Sequence, residues 1–106
     1  VLDWAACGIA GARDGGFSKW ARMLDGNGPA SRFDGVCGTV SEAAMINGTF
    51  SHALDFDDTH FAHIGHPSVV VVSAALAVAE KTSASMAAMV DKRCAIAMTV
   101  LPCIRL

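Results

Sequence analysis

Apolar residues recur at helical spacing along most of the chain, and glycine-rich breaks separate four predicted helices. The first helix is predicted over residues 1–12, with Leu2 and Ile9 on its apolar side. Gly8 and Gly11 in the same helix would let a neighbouring element pack closely, although each lowers intrinsic helix stability. The chain therefore begins with a helix of small residues that suits tight packing.

The second predicted helix, residues 17–24, is short and turns Phe17 and Trp20 inward. Turn residues follow it, and residues 25–38 show no regular period, so this segment is predicted to be a loop. Arg32 within it could bind an anion. We favour the interpretation that Arg32 is a solvated surface residue, because nothing beside it forms a site.

The third predicted helix is the centre of the chain and runs from Ser41 to about Thr59, with Ser41 or a threonine just before it as the N-cap. Its apolar stripe consists of residues three or four positions apart: Ala43, Ile46, Phe50 and Leu54. A second face carries polar residues at intervals of four: Asn47, Ser51, Asp55 and Thr59. His52 precedes Asp55 by three positions, so it can reach the same polar patch.

A loop containing Gly65 is predicted to return His66 to this patch, and Pro67 is predicted to begin a fourth, buried helix that ends near Glu80. The apolar run after Pro67 has strand propensity at first, but it is long for a strand. A carboxylate and an imidazole that meet at a helix end suit proton transfer near neutral pH.

The composition indicates that part of the apolar surface of this chain is covered by further protein. Of its 106 residues, 53% are hydrophobic and 17% are charged, which is more apolar than an average soluble domain. A net charge of −2 without a basic patch argues against nucleic acid as a partner. The longest apolar run is too short to span a membrane, so no membrane partner is expected.

The cysteine pattern indicates a reducing compartment. No two cysteines have the spacing of a redox motif or a disulfide framework, and we expect buried free thiols at Cys7, Cys37, Cys94 and Cys103. No secretory signal peptide is evident at the start of the chain. We therefore expect a cytoplasmic protein, or a mitochondrial one in a eukaryote.

Three phrases of the sequence resemble the MmgE/PrpD family, which includes 2-methylcitrate dehydratase, cis-aconitate decarboxylase and iminodisuccinate epimerase. The longest starts at Asn47 and reads Asn-Gly-Thr-x-x-His-Ala-Leu-Asp-Phe-Asp-Asp-Thr-His. The others are Gly-His-Pro-Ser from Gly65 and Ala-Ala-Leu-Ala-Val-Ala-Glu from Ala74. The resemblance covers about residues 1–81, and residues 82–106 are predicted to be a divergent tail that is helical in part.

The resemblance implies an all-α fold, a multihelical fragment of the family's helical domain with the lid domain absent. It implies a lyase that removes water or carbon dioxide from a small polycarboxylate without metal or other cofactor, and a dimer in full-length relatives. By the same resemblance, Asp55 orients substrate and base, Thr59 donates a hydrogen bond to substrate, and His66 is the general acid or base. Asn47 and His52 are assigned to substrate binding.

Part of the family's site is expected to be missing. Relatives contribute a lysine and a tyrosine from regions that this chain does not contain, and the chain has no tyrosine at all. The departure from the family pattern near Thr82 suggests a truncation, an altered reading frame or an alternative end. We therefore expect the chain to be inactive alone.

Three alternatives to this interpretation remain open. His60, His63 and His66 repeat every third residue beside carboxylates and could bind a metal, but Gly65 and Pro67 interrupt the helix that would align them. The four residues from Asp55 to Asp58 match the acid motif of class II terpene cyclases, although the chain is too short for that architecture. The third alternative is a non-catalytic helical interaction module, such as a truncated gene product that associates with a full-length relative.

Overall fold

The computed structural model describes residues 1–24, 26–62 and 64–82, which form four helices and one small hairpin. In chain order the elements are α1 (Leu2–Asp14), α2 (Ser18–Ala21), β1 (Ala30–Ser31), β2 (Cys37–Gly38), α3 (Val40–His52) and α4 (Pro67–Lys81). This mostly helical architecture confirms the predicted all-α class. The predicted tail lies outside the described residues from Ser83 onward.

Helix α3 lies at the centre and packs against both α1 and α4. It begins at Val40 because Thr39 forms a capping box: the Thr39 hydroxyl accepts the Glu42 backbone N–H at 3.3 Å, and the Glu42 carboxylate accepts that of Thr39 at 2.8 Å. The N-cap is thus Thr39 and not Ser41. The predicted apolar stripe is largely confirmed, since Ala43, Ile46 and Phe50 are fully buried.

Helix α1 buries a different face from the predicted one. Leu2 is 85% exposed and Ile9 is also exposed, whereas Trp4, Gly8 and Gly11 are buried. The Trp4 indole N–H donates to the hydroxyl of Ser73 on α4 at 3.0 Å, which satisfies two buried polar groups at once. The inward face of α1 is therefore the one that carries the glycines, which allow it to approach its neighbours closely.

The glycine face of α1 leads to a stability prediction. A Cβ added at Gly11 would lie 2.0 Å from the backbone oxygen of Phe50, which cannot move without displacing α3. We expect Gly11→Ala to lower the free energy of unfolding by about 1–3 kcal/mol, as overpacked cores do. Urea denaturation monitored by circular dichroism measures this change.

A matched control for this prediction is Gly48→Ala on α3. A Cβ at Gly48 would meet its nearest atom, the backbone oxygen of Val69, at an ordinary 3.5 Å. This variant should keep or raise stability, because alanine favours helix over glycine by roughly 1 kcal/mol. Equal denaturation midpoints for the two variants would show that the close approach at Gly11 carries no energetic weight.

The segment predicted to be a featureless loop contains the hairpin and a buried arginine. Ala30 pairs with Gly38, and Ser31 pairs with Cys37, in an antiparallel two-stranded sheet. Arg32 is only 5% exposed, so its interpretation as a surface residue was wrong. Its guanidinium forms a two-point pair with the Asp34 carboxylate and donates to the backbone oxygen of Ala21 at 2.8 Å.

The two remaining helices differ in how well their predictions hold. Helix α2 is shorter than the predicted residues 17–24, and Phe17 is exposed instead of inward-facing. Helix α4 begins at Pro67 as predicted, but only Ser73 and Ala77 are buried while its valines reach solvent. Neither of these helices, nor any other in the described part of the chain, has the length and apolar character needed to cross a membrane.

Candidate functional site

The candidate site begins where α3 ends, at His52, seven residues before the predicted end at Thr59. The backbone N–H of Ala53 donates to the Phe50 oxygen at 3.3 Å, and that of Asp55 donates to the His52 oxygen at 3.1 Å. Asp55 then adopts a left-handed conformation with φ 55°, which reverses the chain. Aspartate tolerates this conformation better than most residues because its short side chain can hydrogen-bond locally.

A second turn, closed by backbone hydrogen bonds between His60 and residues 64 and 65, brings the chain back to the start of α4. The His60 N–H donates to the Gly65 oxygen at 2.9 Å, and the Ile64 N–H donates to the His60 oxygen at 2.8 Å. His66 then precedes Pro67 as the N-cap residue of α4. The predicted return of His66 by a short Gly65-containing loop is therefore confirmed.

The carboxylate of Asp57 is the centre of the site and is completely buried. Its two oxygens lie 3.1 and 3.2 Å from Nδ1 of His52. One of them also lies 3.2 Å from Nδ1 of His66. A buried carboxylate needs partners of this kind, because an unpaired charge inside a protein is costly. Asp57 thus fixes the positions of two imidazole rings.

The surroundings of His66 determine which of its nitrogens is free. Nδ1 faces two acceptors, the Asp57 carboxylate and the Asp57 backbone oxygen, each at 3.2 Å. The proton of the neutral ring therefore belongs on Nδ1, and the lone pair is on Nε2. Nε2 lies 3.6 Å from the Asp55 carboxylate. His66 consequently presents a basic nitrogen on the side where Asp55 stands.

Exposure shows from which side a ligand can approach. Asp57 lies at the bottom of the site, whereas the side chains of His66, His52 and Asp55 are 26%, 49% and 80% exposed. The rings of His52 and His66 lie 4.7 Å apart and are tilted by 57°. The site is therefore open to solvent at Asp55 and closed at Asp57, with the two imidazoles as its walls.

Of the five predicted site residues, the structure brings Asp55, His52 and His66 together. Thr59 is exposed in the same segment. Asn47 has a structural position: its amide accepts the Phe33 N–H at 2.9 Å and donates to the Ser31 oxygen at 2.9 Å.

The prediction that the third helix continues to Thr59 was wrong, and the reason is electrostatic. Asp55, Asp57 and Asp58 would place three negative charges at the C-terminal end of α3, where the helix dipole is already negative. The chain leaves the helix before them. Asp57 was not among the predicted site residues, yet the alternation of Leu54, Phe56 and the acidic residues could have indicated an irregular segment with one buried carboxylate.

The four side chains His52, Asp55, Asp57 and His66 are called here the His–Asp cluster. Each can offer one ligand atom, and these atoms all lie within 4.8 Å of one another. The arrangement differs from the metal alternative drawn from the sequence, because among the described residues it contains His52 and not His60. His63 lies outside the described residues. Two imidazoles and two carboxylates can move protons or bind a cation.

The thiol of Cys7 on α1 is affected by the acidic residues near the site. Partial burial raises the pKa of Cys7, and the negative charges of Asp3, Asp57 and Asp58 raise it further. The thiol therefore stays protonated at neutral pH and is a weak nucleophile. Cys7 is half-buried and Cys37 is exposed, both as free thiols, so the expectation of burial was wrong for Cys37. Cys94 and Cys103 lie outside the described residues.

These features define a small helical domain with a histidine–carboxylate site at the junction of two helices. The chain belongs to the MmgE/PrpD family: it matches the MmgE/PrpD N-terminal domain over residues 1–104. It is also 31% identical over 91 residues to the cis-aconitate decarboxylase-like protein oryM of Aspergillus oryzae. That match covers 78% of this chain but only 18% of the relative. No solved structure matches the chain.

Proposed function

We propose that this chain forms part of the active site of a lyase that removes water or carbon dioxide from a small polycarboxylate. Membership of the MmgE/PrpD family indicates a lyase of the dehydratase or decarboxylase type. The single observation that supports this chemistry best is the position of His66, whose Nδ1 is held by Asp57 at 3.2 Å while Nε2 points toward Asp55. A ring held in this way has one nitrogen available for proton transfer.

In the elimination of water, Nε2 of His66 would accept the proton from the carbon beside a substrate carboxylate. The electron pair of that C–H bond forms the new double bond, and hydroxide leaves the adjacent carbon with a proton from an acid. In decarboxylation, the carbon that loses carbon dioxide keeps the electron pair of the broken C–C bond. That carbon then takes up a proton, which a charged His66 imidazole could donate. Asp57 acts as a positioning residue in both cases, because it fixes the ring without touching substrate.

Asp55 and Thr59 lie on the solvent side, where substrate would enter. An exposed Asp55 carboxylate near Nε2 can accept a hydrogen bond from a substrate hydroxyl. The proposed role of Thr59, a hydrogen-bond donor to substrate, rests on the family resemblance.

Charge indicates why this chain would need further protein. The His–Asp cluster contains two carboxylates, and a polycarboxylate substrate would be repelled unless cations outside the cluster offset them. The lysine that the family resemblance implies would supply such a charge. Because the chain spans 18% of the length of the Aspergillus oryzae relative, we propose that it does not turn over substrate alone.

A segment swap tests this function. The matched segment of the Aspergillus oryzae relative is replaced by this chain, and the product is called the segment-swapped enzyme. It is assayed for carbon dioxide release from cis-aconitate and for dehydration of 2-methylcitrate, beside the isolated chain and the unswapped relative. We expect turnover by the segment-swapped enzyme on a substrate that the unswapped relative converts, and none by the isolated chain.

The control for the swap is Asp55→Asn in the segment-swapped enzyme. Asparagine accepts the left-handed conformation at this position, so the variant removes the charge and keeps the turn. A marked loss of turnover in this variant supports the proposal. A folded segment-swapped enzyme that converts no substrate of its parent would refute the lyase function, and turnover by the isolated chain would refute its dependence on further protein.

A further inference from the structure

We propose that the His–Asp cluster is also a binding site for one divalent transition-metal ion of the kind that imidazole nitrogens favour, such as Zn²⁺. Metal binding does not depend on the proposed lyase function. It follows from four side chains whose ligand atoms lie within 4.8 Å of one another: His52, Asp55, Asp57 and His66. Two imidazole nitrogens and two carboxylate oxygens form a ligand set that zinc accepts in proteins.

Three of the four ligands, His52, Asp57 and His66, lie at distances that suit one ion. Zinc bound by nitrogen and oxygen at about 2.0–2.2 Å in a tetrahedron places neighbouring ligand atoms roughly 3.3–3.6 Å apart. In the His–Asp cluster, His52 Nδ1 lies 3.1 Å from an Asp57 oxygen, and His66 Nδ1 lies 3.2 Å from the other. Nδ1 of each histidine thus faces Asp57, and an ion bound by these two nitrogens and Asp57 would draw the exposed Asp55 carboxylate toward it.

The ligands are held in place by the fold before any ion binds. His52 is the last residue of α3, and His66 is the N-cap residue of α4, so the two helices set the separation of the imidazoles. Asp57 is completely buried between the rings. Because a preformed site avoids the cost of ordering flexible ligands, these positions favour binding of an ion.

Exposure indicates an open site and not a closed structural one. Asp55 is largely in solvent, so an ion can enter and leave the site from that side. Imidazole nitrogens favour zinc and its neighbours over magnesium and calcium, which require oxygen ligands. We expect affinity to rise from Mn²⁺ to Co²⁺ and Ni²⁺, with Cu²⁺ above Zn²⁺, and no measurable competition from Mg²⁺.

Bound metal and proton transfer would exclude each other. An ion bound at Nδ1 of His66 leaves the proton of the neutral ring on Nε2, which then has no lone pair to accept a proton from substrate. In any setting where the proposed lyase is active, we therefore expect Zn²⁺ to inhibit it and a chelator to restore it. This expectation concerns activity, whereas the binding itself is measured without any substrate.

The test titrates the purified, untagged 106-residue chain with ZnCl₂ in a calorimeter and with CoCl₂ in a visible spectrometer. We expect one ion per chain and, for Co²⁺, the intense absorption of a low-symmetry tetrahedral site without a thiolate charge-transfer band. The absence of that band separates this site from the exposed thiol of Cys37. Zinc should also raise the thermal midpoint, because it binds only the folded chain strongly.

Two variants decide the assignment. His52→Gln removes one ligand from a half-exposed side chain, so it leaves the fold intact and should weaken Zn²⁺ binding at least tenfold. His60→Gln lies in the same segment but outside the His–Asp cluster and should bind as the unchanged chain does. Equal binding by these two variants, a thiolate band with Co²⁺, or no saturable binding by the unchanged chain would each overturn the metal site.

Discussion

Replacing His66 by glutamine is expected to lower kcat of the segment-swapped enzyme by about 10²–10⁴-fold, the usual contribution of a general acid or base. Glutamine can still donate a hydrogen bond to the Asp57 carboxylate, but its amide cannot accept a proton at neutral pH. The position of the residue at the start of α4 is retained. Steady-state rates with the substrate of the unswapped relative measure this change.

Two companion variants separate proton transfer from positioning. Asp57→Asn should also lower kcat, because the His66 ring loses the carboxylate that holds its Nδ1 proton at 3.2 Å. His60→Gln, in the same turn but outside the His–Asp cluster, should leave kcat within a few-fold of the unchanged enzyme. Full activity of His66→Gln would show that this ring does not carry the proton.

Replacing Arg32 by alanine should destabilise the domain by about 3–5 kcal/mol, as loss of one partner from a buried ion pair does. The Asp34 carboxylate is 14% exposed and would lose both of its guanidinium hydrogen bonds. The backbone oxygen of Ala21 would lose its donor as well. Since small domains are stable by only about 5–15 kcal/mol, this change removes a large share of the total.

Urea denaturation of the isolated chain measures the effect, with Arg22→Ala as the matched control. Arg22 is an exposed arginine one position after α2, so its replacement should change stability by no more than about 0.5 kcal/mol. Arg32→Lys keeps the charge but cannot form the two-point pair, and it should fall between the two. Equal midpoints for Arg32→Ala and Arg22→Ala would show that the buried pair contributes nothing.

The parts of the fold that depend on local pattern could be predicted from the sequence. The apolar stripe of α3, the start of α4 at Pro67 and the return of His66 all follow from spacing and from the geometry of proline. The convergence of His66 with Asp55 also follows, because a short connection between two helices keeps its two ends close together. These features lie within a single stretch of chain.

The parts that depend on tertiary packing could be predicted only in part. The glycines of α1 were predicted to allow close packing, and they do so against Phe33 and Phe50, but the apolar side chains predicted beside them are exposed. Arg32 is buried because the hairpin folds it against Ala21, and nothing in its neighbours along the chain shows this. The central position of Asp57 depends on the left-handed turn at Asp55, which spacing rules for a continuous helix exclude.

All four members of the His–Asp cluster come from one short stretch between the end of α3 and the start of α4. The entropy lost on closing such a short segment is small, because it grows only with the logarithm of loop length. The His–Asp cluster can therefore assemble as an early, local folding event. The two helices and the segment that joins them could also be transferred as one unit into another helical scaffold.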